Sequence, residues 1–168
     1  NGSTAGLLAS VYSLCRGGKT LLMARNCHKS IYHAAILSEA RVRYLHPDTD
    51  PLGFARSVSP EEVANALTDD TAAVVLPSPT YEGIVSDIAG IAAVCHRRNV
   101  PLIVDAAHGA HLGFLDSVLS SPVSCGADLT VCSLHKTLPS LTQTGVLLLT
   151  GRLVDPDEVA AALTVFQT

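Results

Sequence analysis

With 168 residues, 48% of them hydrophobic and 15% charged, and a net charge of −4, the chain has the length of one domain and is too apolar to stay disordered. The lack of a large basic field argues against nucleic acid or an anionic membrane surface as a partner, and no apolar run of some 18 residues predicts a membrane span. Its five cysteines are scattered, without paired metal-ligand spacing, which predicts reduced and mostly buried thiols. No basic-then-apolar leader is evident, so a cytoplasmic location is expected. The chain opens at Asn1 without a methionine and stops at Thr168 within an apolar-periodic segment, and therefore reads as a fragment of a larger protein.

Helical and extended signals alternate along the chain. A helix is expected from about Thr4 to Cys15, ending at Gly17-Gly18, followed by a strand from Thr20 to Ala24. A helix near Ser30 to Glu39 and a strand from Val42 to Leu45 come next. After a Pro/Asp-rich loop, Ser59-Pro60-Glu61-Glu62 combines an N-cap, a first-turn proline and acidic residues at a helix's positive end, and that helix should run to about Leu67. Ala72 to Leu76 is an apolar strand, and Asp87 to Arg98 an amphipathic helix with His96, Arg97 and Arg98 in its last turn. Leu102 to Val104 is a buried strand ending on Asp105, and Leu129 to Cys132 another ending on Ser133. Val146 to Leu149 reads as a further strand, and Asp155 as the N-cap of a helix from about Pro156. This alternation predicts an α/β fold, a three-layer α/β/α sandwich around a mostly parallel sheet.

The lysines narrow the chemistry, because the chain has only Lys19, Lys29 and Lys136. Gly17-Gly18-Lys19-Thr20 imitates the tail of a phosphate-binding P-loop. That pattern needs a glycine six residues before the lysine and a helix after it, whereas Ser13 and an apolar strand occupy those places. Lys29 falls at a helix start, where a solvated lysine is ordinary. Lys136 remains, following one strand end, 31 residues after Asp105 at another. Pyridoxal phosphate (PLP) chemistry asks for such a pair: an amine that condenses with the cofactor aldehyde, and a carboxylate that keeps the pyridine nitrogen protonated. In a mostly parallel sheet, ligands bind outside the carboxyl ends of the strands, and one crevice there could hold Asp105, His108, Ser133 to Lys136 and Pro79-Thr80-Tyr81.

Taken together, Asn1-Gly2-Ser3-Thr4, Arg25-Asn26-Cys27-His28-Lys29-Ser30, Pro79-Thr80-Tyr81-Glu82-Gly83, Asp105-Ala106-Ala107-His108-Gly109-Ala110-His111 and Ser133-Leu134-His135-Lys136-Thr137-Leu138 resemble the PLP-binding major domain of the Orn/Lys/Arg decarboxylases. These are enzymes of the aspartate-aminotransferase fold (fold type I), and the resemblance spans nearly the whole chain. It implies Lys136 as the lysine that joins the cofactor and Asp105 as the partner of the ring nitrogen. It further implies His28 stacked on the ring face opposite the lysine and His108 beside the ring in the same pocket. Ser3 and Thr4 would bind the cofactor phosphate at a helix start, with Ser133 and His135 completing that site. Residues 1–168 would then be a partial major domain without the small C-terminal domain. The implied reaction is decarboxylation of arginine, lysine or ornithine in polyamine biosynthesis, by a homodimer or higher homo-oligomer.

Other readings stay open. His28 could simply start a helix through a local hydrogen bond, and Ser3 and Thr4 are good helix caps whether or not a phosphate is near. Asp105, His108 and His111 form Asp-x-x-His-x-x-His, but a loop has no helical face to aim all three inward, and no metal site is assigned. His33, His46 and His96 read as surface or locally satisfied histidines. Ala106 departs from a family position that is often polar. Cofactor residues specify the electron sink and not the bond broken, so an aminotransferase or a carbon–sulfur lyase is the alternative enzyme. A non-catalytic PLP-binding module is the alternative outside enzymes.

Overall fold

The computed structural model describes residues 1–114 and 119–167. Its strands are β1 (Thr20–Ala24), β2 (Arg41–Leu45), β3 (Thr71–Pro77), β4 (Leu102–Asp105), β5 (Leu129–Ser133) and β6 (Gly145–Leu149). They form one sheet in the order β2-β1-β3-β4-β5-β6, parallel except for β6, which runs antiparallel to β5. β1, β4 and β5 have no exposed residue, as expected of parallel strands covered on both faces. β2, at an edge, exposes Arg41, Arg43 and Tyr44. The mostly parallel α/β architecture anticipated from the alternating signals is the one observed.

The helices are α1 (Gly2–Cys15), α2 (Lys29–Leu37), α3 (Pro60–Ala66), α4 (Ile88–Arg97), α5 (Leu134–Thr137) and α6 (Pro156–Phe166). α1 packs on α2 and α6 and lies over β5 and β6, while α3 packs on α4. Local chemistry sets most of their ends. Ser59 and Glu62 form a complete capping box at α3, Asp87 accepts the Gly90 N–H at 2.9 Å, and Asp155 accepts the Asp157 N–H at 2.9 Å. α2 stops short of the expected Glu39, because Glu39 turns into the left-handed region at φ 55° and ends the repeat. α1 starts two residues before the expected Thr4, which brings Ser3 and Thr4 into its first turn. α5 is a single turn that hydrophobic periodicity did not reveal, and it carries Lys136.

All five cysteines are free, and burial pushes the thiols of Cys15 and Cys95 up to about 12, so these side chains are neutral core groups. Among the described residues no helix is long and apolar enough to cross a membrane. At the amino-terminal edge of the parallel strands, buried Asp128 accepts the Leu102 N–H at 2.8 Å and His96 Nε2–H at 2.8 Å. This carboxylate ties the end of α4 to the starts of β4 and β5, and it gives His96 the local partner expected of it. Asp128→Ala would leave the buried Leu102 N–H without an acceptor, at a cost of about 1–3 kcal/mol. The expected outcome is a lower urea midpoint, checked by circular dichroism.

Candidate active site

A cavity of about 400 Å³ opens at the carboxyl ends of β1, β3, β4 and β5, beneath the first turn of α1. The chain's direction of travel across the sheet reverses between β1 and β3, and ligands of parallel sheets sit beside such switch points. Every residue singled out as a site residue lines this cavity: Ser3 and Thr4 from α1, His28 after β1, Asp105 and His108 at and after β4, and Ser133, His135 and Lys136 at the end of β5 and on α5.

Asp105 is 5% exposed, and its Oδ1 accepts the Ala107 N–H at 3.1 Å. Burial pushes its carboxyl up from the usual range, opposed by that hydrogen bond and by the nearby charges of His28 and Lys136. A buried carboxylate of this kind is stabilised by a cation brought into the cavity against it. Lys136 Nζ lies 3.2 Å from His108 Nε2. Burial, and then the charge of Lys136, hold His108 below its ordinary value, so the imidazole is neutral at pH 7 and its Nε2 can accept a hydrogen bond from the lysine. The Tyr81 ring stands edge-on to His108, centroids 5.4 Å apart at 85°.

His28 answers to both readings of it. Its Nδ1 accepts the Ser30 N–H at 3.2 Å and caps α2, and its ring also lines the cavity. Nδ1 is engaged as an acceptor there, which leaves Nε2 for any further partner. His135 presents the opposite arrangement. Its Nδ1 lies 3.0 Å from the carbonyl oxygen of Thr144, which can only accept, so Nδ1 carries the proton and Nε2 is the nitrogen left over.

The first turn of α1 is open to an anion. Asn1 occupies the N-cap position but makes no capping bond, and its Nδ2–H donates instead to the Phe166 carbonyl at 2.9 Å. The amides of Gly2, Ser3 and Thr4 therefore lack the usual side-chain acceptor, at the positive end of the helix dipole. Ser133, fully buried, donates through Oγ to Ser3 Oγ at 2.7 Å and ties this turn to the end of β5. β6 supports it from the other side at Gly145, where an added Cβ would sit 2.5 Å from Ser3 N and 2.6 Å from Gly2 C. No larger residue fits there without displacing the turn.

Two polar cavity residues escaped the sequence reading. Asn26 stands two positions before His28, and its buried Oδ1 has no partner among the described residues. Gln143 sits in a Ser/Thr-rich loop whose composition carried no signal. Pro79 and Tyr81, expected in the same crevice, line the cavity as well, whereas Thr80 is not among its lining residues. His111 is exposed and lies outside the cavity lining. Among the described residues no three His, Cys, Asp or Glu side chains converge as metal ligands.

The sheet order and its covering helices give the chain the fold of the aminotransferase-like, fold-type-I PLP-dependent domains. It superposes over 98% of its length on N-succinyldiaminopimelate aminotransferase from Mycobacterium tuberculosis, with a TM-score of 0.75, 22% identity and 43% of that chain covered. The chain belongs to the Orn/Lys/Arg decarboxylase family, whose major domain matches residues 1–168. It is 34% identical over 170 residues to arginine decarboxylase of Bacillus cereus, covering 99% of this chain and 37% of that protein. It is 39% identical over 178 residues to the uncharacterized protein YaaO of Bacillus subtilis (strain 168), covering 100% of this chain and 36% of that protein. The chain thus spans little more than a third of these curated relatives. Family and fold together imply PLP use.

The raised carboxyl of Asp105 has a consequence for stability without any ligand. A carboxyl whose folded value lies above its unfolded one imposes no penalty below the unfolded value, near pH 4, where both states are protonated. The penalty grows as pH rises from there through the folded value, because the unfolded chain ionises first. Asp105→Asn, which keeps an acceptor for Ala107, should therefore raise the melting temperature of the cofactor-free protein at neutral pH. The gain should disappear near pH 3–4, and scanning calorimetry at the two pH values checks it.

Proposed function

We propose that this cavity is the cofactor site of a PLP-dependent decarboxylase acting on arginine, lysine or ornithine, with carbon dioxide and the corresponding amine, a polyamine precursor, as products. The observation that carries the reading is the convergence of Lys136 and the buried carboxylate of Asp105 on one cavity beneath an uncapped helix N-terminus. A group with a cationic ring nitrogen at one end and a phosphate at the other matches those features. The family match and the arginine decarboxylase relatives support the reaction type.

When bound, PLP supplies an aldehyde carbon for an amine and a conjugated ring that accepts the electrons released with carbon dioxide. The residues of this chain do the rest of what the site requires. Asp105 keeps a proton on a ring nitrogen placed against it, because a carboxylate favours the protonated form of a neighbouring base and is itself stabilised by the cation. His28 offers an imidazole face from the end of β1, where its capping bond to Ser30 fixes the ring. His108, a neutral imidazole, accepts a hydrogen bond from Lys136 at Nε2 and so holds the amine in the cavity. Ser3 and Thr4 hold the phosphate with the first-turn amides of α1, Ser133 completes the site by fixing Ser3 through its Oγ–H, and His135 donates from Nε2 when its imidazole is protonated.

The substrate's own charges find few partners here. Asp105 is the one carboxylate among the described lining residues, and no arginine lines the cavity. Groups that fix the α-carboxylate and the side-chain cation are accordingly assigned to the small domain and to a partner subunit of a homo-oligomer, outside residues 1–168. Fixing the scissile bond at one angle to the ring is worth roughly 7–11 kcal/mol of barrier. Residues 1–168 alone should therefore release carbon dioxide far more slowly than the full-length enzyme. Equal rates would show that the substrate groups had been misplaced.

Borohydride reduction of the full-length protein loaded with PLP, followed by peptide mapping, tests the reading directly. Label is expected on Lys136, with carbon dioxide and an amine as products and with activity unaffected by chelators. Label on Lys19 or Lys29 with Lys136 unmodified, or a keto acid as product, would overturn it. Lys136→Ala should abolish turnover yet retain weak PLP binding through the phosphate contacts.

A further inference from the structure

We infer that Gln143 is an additional ligand of the phosphate group, its carboxamide donating to the anion held at the first turn of α1. The inference rests on the cofactor reading above and adds to it a residue from the loop beyond Lys136. That loop is tied down at both sides. The Leu134 N–H donates to the Thr144 carbonyl at 2.9 Å, His135 Nδ1–H donates to the same oxygen at 3.0 Å, and the Thr144 N–H returns to the Leu141 carbonyl at 3.0 Å.

These bonds lay Gln143 against the helix start. A Cβ built on Gly2 would lie 3.3 Å from the Gln143 carbonyl oxygen and 3.4 Å from its Cβ. Gly2 itself adopts φ +67°, a left-handed conformation that a side chain would strain, so the glycine both turns the chain into α1 and admits the Gln143 backbone beside it. Gln143 then lines the same cavity as Ser3, Thr4 and Ser133. Among the described residues its carboxamide makes no hydrogen bond, and it is free to donate.

The chemistry of the site leaves room for such a donor. A phosphate dianion presents three terminal oxygens with several lone pairs each, and here no arginine lines the cavity to meet two of them at once. The proton of Ser133 Oγ is already committed to Ser3 Oγ. His135, with its proton on Nδ1, can donate from Nε2 only as an imidazolium. A carboxamide N–H donates at any physiological pH and brings no cation that would compete with the ring nitrogen for Asp105.

The test compares PLP with pyridoxal, which has the same ring and aldehyde without the phosphate. Both are titrated into the full-length apoprotein and followed by the visible absorbance of the Lys136 adduct. A hydrogen bond to a charged group predicts a rise of roughly 10-fold or more in the PLP dissociation constant for Gln143→Ala, with pyridoxal affinity unchanged. Gln143→Glu, similar in size but repelling the dianion, should weaken PLP further and again spare pyridoxal, with both variants melting as the parent does. Unchanged PLP affinity in either folded variant, or an equal loss for PLP and pyridoxal, would overturn the role of Gln143 while leaving the cofactor site standing. A parent protein that forms no Lys136 adduct with PLP would instead sink the cofactor reading itself.

Discussion

A carboxylate closing a strand with no exposed residue sets the terms for everything around it. Asp105 is held out of water by the same packing that makes β4 a central strand, and its single described hydrogen bond, from Ala107, does not replace the hydration it loses. A group in this position is tolerated because a cation can be brought to it. The cavity, the histidine after β1 and the lysine after β5 all lie where such a cation would be received. Stability is sacrificed at this residue, because the folded chain holds the carboxyl away from water.

Register converts that local choice into a site. Pro77 pairs with Asp105 and Asp105 with Val131, so β3, β4 and β5 end at nearly one level and their following residues share one mouth. The antiparallel β6 contributes differently. Its first residue, Gly145, touches the backbone of α1, and the Ser133–Ser3 bond anchors the same turn to β5. The open amides at the helix start are therefore held by contacts on two sides, and an anion bound there meets donors that need little reorganisation.

Lys136, His108 and Tyr81 form a second chain of dependence. The lysine sits on a single turn, a geometry that hydrophobic periodicity cannot reveal over four residues. Its neighbour His108 is kept neutral by burial and by the lysine's own charge, and Tyr81 meets that imidazole edge-on from the loop after β3. Residues far apart in the chain thus hold one amine in place.

Strand identity was legible in the chain because β1, β3, β4 and β5 are short continuous apolar runs bounded by turn residues. The caps of α3, α4 and α6 were legible because Ser59, Asp87 and Asp155 act within three residues of themselves. Asp105 and Lys136 stood out because lysines are few and both follow apolar runs. Asn26 and Gln143 did not, since a polar residue in a loop looks the same whether it faces solvent or a cavity. The early start of α1 was hidden as well, because it depends on Gly145 leaving space and on Asn1 turning to Phe166, contacts that span more than 140 residues. Sequence alone determined the strands, the helices other than the single-turn α5, the α/β class and the chemical identity of the central pair, all of which follow from local pattern and residue type. Tertiary structure decided which polar groups share the cavity, which ring nitrogen of each histidine is free and which helix end is left open, because those depend on distances between segments that no local pattern encodes.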